Sequence, residues 1–270
     1  MKKILVPTDF SPNAEKALNY AVQIAKRTRG EINIVHGVET QKIPEATQEA
    51  ELKMQAIKKS IMEAEQLTVH TKIYADSSVN SITTAIHEYK PDLIVMGTLG
   101  SSGVKELIYG SRTGVIIGRS PVPVLAVPLL SEWTEPKKIL VAVNDFTIKE
   151  KMTNPVFQLA NLYNAAVQVA VFTDTDDDYV EDFDEHKKKI TVFGNKLKEQ
   201  FPNTEIFAVH LAGKHFRETL QNWLNENKVD MLVMLTHRRN LIGSIFNSSM
   251  TKKMSYHTNI PLLAIPINED

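Results

Sequence analysis

Cysteine is absent from the 270 residues, which excludes disulfides, thiolate nucleophiles and cysteine-ligated metals. A surplus of either charge is absent as well. The formal net charge is −1, without the basic excess of a general nucleic-acid binder. Long hydrophobic runs are missing. The apolar stretch after Met1-Lys-Lys ends after three residues, far short of a secretory signal. The stretch from Pro121 to Leu130 carries three prolines and is too short to cross a bilayer. The expectation is a cytoplasmic protein with neither a membrane nor a nucleic acid as partner. Glycine is scarce and unevenly placed: of 11, six stand at positions 97, 100, 103, 110, 114 and 118.

What is present has the composition of a soluble globular chain, 43% hydrophobic and 23% charged, long enough for one large domain or two ordinary ones. The sequence repeats itself. Lys2-Lys-Ile-Leu-Val6 recurs as Lys137-Lys-Ile-Leu-Val141, Pro91-Asp-Leu-Ile-Val-Met96 as Val229-Asp-Met-Leu-Val-Met234, and Val122-Pro-Val-Leu-Ala-Val-Pro128 as Ile260-Pro-Leu-Leu-Ala-Ile-Pro266. The offsets of 135, 138 and 138 keep one order and nearly one spacing, the mark of a tandem duplication. The expected domains are residues 1–130 and 137–270, separated around Ser131-Glu-Trp-Thr-Glu-Pro136.

Each copy alternates strand and helix. In the first, strands are expected at Lys3–Thr8, Ile32–Val38, Val69–Tyr74, Asp92–Met96 and Val122–Val127. In the second they fall at Ile139–Val143, Ala166–Phe172, Glu205–Val209, Met231–Leu235 and Leu262–Ile265, with helices near Ile148–Tyr163, Tyr179–Gln200, Phe216–Asn227 and Ser248–His257. Strands rich in Val, Ile and Leu that alternate with helices imply a parallel sheet covered on both faces. Ser11 and Pro12 form a helix start, with Ser11 as N-cap and Pro12 at the first helical position; Gly30 marks a stop. The duplication suggests that the copies pair through the Val122–Val127 and Leu262–Ile265 segments, and leaves a homodimer open.

Ligands of such sheets bind beyond the carboxyl ends of the strands. Asp9 follows the first strand and Gly97 the fourth, so both fall on one edge. Gly97 and Gly100 let backbone approach a sugar or phosphate. Gly110-Ser111 opens a helix whose first N–H groups lack intrahelical partners, with the positive end of the dipole behind them. The hydroxyls of Ser111 and Thr113 can donate to phosphate oxygens, and Arg112 is a charge partner. Two readings stay open on these residues alone: a phosphate loop, or a glycine-rich turn with no ligand. For Asp9 they are a ligand contact or the cap of a turn.

The spacing Gly97, Gly100, Gly110, Ser111 matches G-x2-G-x9-G-(S/T). With Val6-Pro-Thr-Asp9-Phe-Ser11, Ile34-Val-His36, Val95-Met-Gly97 and Ser120-Pro-Val-Pro-Val-Leu-Ala-Val-Pro128, the chain resembles the universal stress protein family, its tandem two-domain members in particular, over nearly its whole length. The resemblance implies two tandem Rossmann-like (adenine nucleotide alpha hydrolase-like) domains, each a five-stranded parallel sheet. In the first it implies ATP, ADP or AMP, with Mg²⁺ bridging phosphate oxygens. Asp9 with Pro7 and Thr8 would then face adenine and ribose. Gly37 and Val38 would line the adenine, Gly37 departing from the bulky apolar residue often found there. Met96 and Gly97 would pack near the ribose, and Gly100, Gly110, Ser111 and Arg112 would hold the phosphates.

In the second copy Leu235, Arg238, Ser248 and Ser249 replace Gly97, Gly100, Gly110 and Ser111, and Asp9 maps to Asn144 or Asp145. No ATP-type site is expected there; His237, Arg238 and Arg239 form either a solvated loop or a site for another anion. Asp174, Asp176, Asp177 and Asp178 lack the glycine and glutamate of a calcium loop. His186-Lys-Lys-Lys189 reads as a solvated helix face, His36 as a satisfied structural residue, and Lys253-Met-Ser255 as chance. The eight histidines have no metal-ligand spacing, and no nucleophile–base pair stands out. The functional expectation is a nucleotide-binding stress-response protein. Two alternatives stand beside it: a slow ATPase or adenylate-transferring enzyme, and an interaction module with a vestigial site.

Overall fold

The computed structural model describes residues 1–39, 43–98, 111–143, 150–175, 180–237 and 259–267. The chain divides into two compact units, Met1–Trp133 and Thr134–Asp270.

The first unit runs β1 (Lys3–Pro7), α1 (Pro12–Thr28), β2 (Glu31–Gly37), α2 (Ile43–Glu65), β3 (Thr68–Tyr74), α3 (Ser78–Tyr89), β4 (Leu93–Gly97), α4 (Ser111–Arg119) and β5 (Val124–Val127). Its strands are all parallel, in the order β3-β2-β1-β4-β5. Right-handed crossovers that first step outward from β1 to β3, then return to β4, place helices on both faces. Accordingly α1 packs against α2, and α3 against α4. Strand order reverses between β1 and β4, so their carboxyl ends open onto one crevice. Ile4, Leu5, Val6, Ile94, Val95 and Ala126 fill the centre at full burial. The apolar runs are continuous because both faces of the sheet are covered.

Local signals account for the helix that leads into this edge. Ser11 caps α1 by accepting the Ala14 N–H at 3.2 Å, and Pro12 occupies the first turn, where its missing N–H costs nothing. The helix ends one residue before the expected glycine: Arg29 itself takes the left-handed conformation (φ 52°) and returns its N–H to Ala25. Asn164 after α5 and Lys90 and Lys228 after α3 and α7 also take the left-handed conformation, at φ 53°, 46° and 50°.

The second unit runs β6 (Lys138–Val143), α5 (Glu150–Tyr163), β7 (Ala166–Asp174), α6 (Val180–Gln200), β8 (Ile206–Gly213), α7 (Phe216–Glu226), β9 (Met231–His237) and β10 (Leu262–Ile267), its strands parallel in the order β10-β9-β6-β7-β8. The expected helix over 248–257 lies outside the described residues. Strand β8 extends four residues beyond its expected end at Val209. It lies at the edge of its unit, and the half-exposed, polar alternation through His210 and Gly213 hides its strand character.

The duplicated residues carry duplicated bonds. Asp92 accepts the backbone N–H groups of Lys2 and Lys3 at 2.6 and 3.0 Å, and Asp230 those of Lys137 and Lys138 at 2.7 and 2.9 Å. The aspartate before β4, and again before β9, thus anchors the start of the central strand beside it. The two α/β units match the expected fold class.

Candidate functional site

Three strand ends and one helix start build the carboxyl edge of the first unit. After β1 the chain turns sharply. Thr8 N–H reaches Val35 O at 2.9 Å, extending the β1–β2 ladder by one residue. The Phe10 N–H then donates to Thr8 Oγ1 at 3.0 Å, and the Ser11 N–H to Asp9 Oδ1 at 3.1 Å. Asp9 therefore shapes the turn with one carboxylate oxygen while standing half-buried at the crevice; Pro7 and Thr8 are half-buried beside it.

At the end of β2, Gly37 is half-buried and Val38 buried, with the Val38 N–H on Tyr74 O at 2.8 Å. A Cβ at Gly37 would lie 2.6 Å from Ser81 Oγ and 2.9 Å from Asp76 O, so the start of α3 passes too close for any side chain. This is the physical reason that the bulky residue expected there is missing. In the second unit Phe172 stands at the place of Gly37 and meets Phe216, the first residue of α7, edge to face with ring centres 4.8 Å apart.

At the end of β4, Met96 is buried, and Gly97 lies against the first turn of α1. A Cβ at Gly97 would meet Asn13 Oδ1 at 2.6 Å and Asn13 O at 3.0 Å. Asn13 is fixed by its own bond, Nδ2 donating to Val127 O at 2.9 Å. Ser111 opens α4, and Arg112 is exposed. Thr113 is 3% exposed and donates its hydroxyl to Gly97 O at 2.9 Å, so the proton expected to serve a phosphate ties α4 to β4 instead. That tie holds the start of α4 beside the end of β4, where the amino end of a helix suits an anion. Buried Val38 and Met96 offer the apolar surface a base needs. The chemistry of this edge therefore fits an adenine nucleotide. Gly100 and Gly110 lie outside the described residues.

The matching edge of the second unit is built differently. Thr173, at the position of Val38, is 6% exposed, and its hydroxyl lies 2.8 Å from both His186 Nδ1 and His210 Nε2. His186 thus turns inward from a helix face that reads as solvated. Its partners are 13 and 24 residues away, a separation no sequence periodicity signals. Leu235 lies within β9, and His237 ends it. Asn144, Asp145, Arg238, Arg239, Ser248 and Ser249 lie outside the described residues. Among the described residues no cluster of three or more His, Cys, Asp or Glu is placed to hold a metal, and no helix is long and apolar enough to cross a membrane.

Burial pushes His210 below the ordinary histidine range, and the charges of His186 and Lys187 push the same way. A lowered folded value means that the unfolded chain takes up the proton first. The stabilisation from neutral His210 is complete above the unfolded value of about 6.5 and is lost as pH falls through the folded one. The urea midpoint of the second unit, followed by Trp223 fluorescence in a Trp133→Phe background, should fall between about pH 7 and pH 5. His210→Gln should flatten that fall; an unchanged slope would assign it to other groups.

Known proteins share this architecture. The model of the universal stress protein family matches residues 1–128 and again 135–266. Universal stress protein MJ0531 of Methanocaldococcus jannaschii is 30% identical over 138 residues, covering 47% of this chain and 81% of that protein. Universal stress protein MJ0577 of the same organism is 29% identical over 153 residues, covering 47% and 94%. The crystal structure of a universal stress protein from Archaeoglobus fulgidus superposes with a TM-score of 0.76 at 18% identity, over 97% of both chains, which shows the common fold. Matched twice by one family model and carrying its fold in each unit, the chain belongs to the universal stress protein family.

Proposed function

We propose that the first unit binds one adenine nucleotide (ATP, or ADP or AMP) at its carboxyl edge, and that the protein acts as a nucleotide-responsive regulator in the stress response. The observation that carries this is the convergence of the Asp9 turn, the end of β4 and the start of α4, locked by the Thr113–Gly97 bond. Pro7, Thr8 and Asp9 would face the base and ribose, with Gly37 and Val38 on the adenine side and Met96 and Gly97 near the ribose. Gly100, Gly110, Ser111 and Arg112 would hold the phosphates, with Thr113 keeping the helix in place and Mg²⁺ bridging phosphate oxygens. The second unit, with Leu235 and Arg238 where Gly97 and Gly100 stand in the first, would contribute no ATP-type site.

Calorimetry with ATP and Mg²⁺ on the full chain should give about one site, and Gly110→Val should weaken it by tenfold or more, because a branched side chain would fill the space of a phosphate. No binding, or equal binding by the variant, would remove the proposal. Binding is expected to act as a signal rather than as fuel. Phosphate release by highly purified protein should match a protein-free control; faster release that Gly110→Val abolishes would favour the slow ATPase instead.

A further inference from the structure

We propose that His36 and Phe10 are positioning residues that hold the Thr8–Asp9 turn in the shape that receives the nucleotide; the proposal rests on the nucleotide reading above. His36 Nδ1 lies 2.7 Å from Thr8 O. A carbonyl oxygen can only accept, so the ring carries its proton on Nδ1, and the neutral ring is the Nδ1–H tautomer. The next residue but one, Phe10, sits at φ 60°, a left-handed conformation that disfavours an aromatic side chain. Three contacts hold it there. Its N–H is bonded to Thr8 Oγ1, its ring rests on the His36 ring with centres 4.6 Å apart, and the Lys53 ammonium stands 5.4 Å from the centre of the Phe10 ring. The Ser11 N–H on Asp9 Oδ1 completes the turn. One histidine therefore secures both the carbonyl before Asp9 and the side chain after it.

The second unit shows that the fold does not require this arrangement. At the places of Thr8 and His36 it has Val143 and Val171, which face each other in the β6–β7 ladder and are 4% and 2% exposed. The same strand pair forms there with two buried valines. The polar clasp stands in the copy that carries Gly97, Gly100 and Gly110, and valines replace it in the copy whose matching residues are Leu235, Arg238 and Ser248. A device kept with the glycine motif and dispensable to the sheet serves the edge rather than the core.

Two variants of the full chain test this. His36→Leu removes the donor, while His36→Asn keeps an N–H near the position of Nδ1. The Kd for Mg·ATP should rise about tenfold in His36→Leu, the loss of one hydrogen bond's worth of pre-organisation, and stay within about threefold of the parent in His36→Asn. ¹⁵N NMR of the parent should find the His36 proton on Nδ1. Unchanged ATP binding by His36→Leu alongside a binding parent overturns this proposal alone. Equal weakening by His36→Asn overturns the role given to the Nδ1–H bond, since the ring contact with Phe10 alone would then hold the turn. A parent chain that binds no ATP overturns the nucleotide reading, and this proposal with it.

Discussion

Gly97→Ala is expected to lower the stability of the first unit by about 2–3 kcal/mol, with or without nucleotide. The added methyl group would stand 2.6 Å from Asn13 Oδ1, 2.7 Å from its Cγ and 3.0 Å from its backbone oxygen. Neither neighbour can give way freely. The Asn13 side chain is 2% exposed and bonded to Val127 O, and its backbone belongs to the first turn of α1, which Ser11 caps. Relief requires a shift of α1 away from β4, which would disturb the packed layer of Ala14, Ala17 and Ala21. Urea unfolding followed by Trp133, which packs edge to face on Tyr20 in the same unit, reads the effect directly. Combining Gly97→Ala with Asn13→Ala should recover part of the loss, because the side-chain contacts vanish and only the backbone one stays. A Gly97→Ala variant within about 0.5 kcal/mol of the parent would show that α1 yields easily. The second unit carries Leu235 here, with Ile148 in place of Asn13 in the sequence. A nucleotide test built on Gly97 would therefore confuse lost packing with lost binding, which is why Gly110 is the better probe.

Asn33→Leu is expected to stabilise the first unit by about 1–3 kcal/mol. Asn33 lies in β2 between Leu5 of β1 and His70 of β3, 1% exposed, and among the described residues neither its Nδ2 nor its Oδ1 has a hydrogen-bond partner. Folding strips both groups of water and returns nothing. Leucine has nearly the same shape and no polar atoms, so the substitution removes that penalty without opening a cavity. The second unit handles the same position differently. Gln168 stands there, and its Oε1 accepts Trp223 Nε1–H at 2.9 Å; the place of Trp223 in the first unit is taken by fully buried Ala85. Chemical denaturation of the full chain should show the first unit's midpoint rising with an unchanged slope. A fall in stability would mean that the amide is hydrogen-bonded in solution.

Much of the architecture is legible in the sequence alone. Runs such as Ile4-Leu-Val6 and Leu93-Ile-Val95 can only be buried on two faces, and their regular alternation with helical segments leaves a parallel sheet as the solution. Three matched segments revealed the duplication. One repeated residue carries its own explanation in the structure, since the aspartates at 92 and 230 accept the backbone N–H groups of residues 2–3 and 137–138. The end of β8 was hidden because an edge strand needs less apolar sequence than a central one. Of the candidate edge, the sequence indicated which residues sit at strand ends, because position along a strand is a local property. It indicated glycine at 97 as a place of close backbone approach, but not what approaches, and at Gly37 only a departure from the bulky apolar residue often found there. In the structure the nearest neighbours are Asn13 in one case and Ser81 and Asp76 in the other.

The sequence by itself determined the α/β class, the two copies and which residues stand at the strand ends, because these follow from composition, periodicity and spacing along the chain; the family followed from the likeness of its motifs. Only the tertiary structure decided which groups meet. Thr113 bonds Gly97, His36 bonds Thr8, Asn33 finds no hydrogen-bond partner among the described residues, and two histidines converge on Thr173. Each of these depends on distances set by the packing of one element on another, and hydrogen bonding falls away within a few tenths of an ångström, so no one-dimensional pattern can encode it.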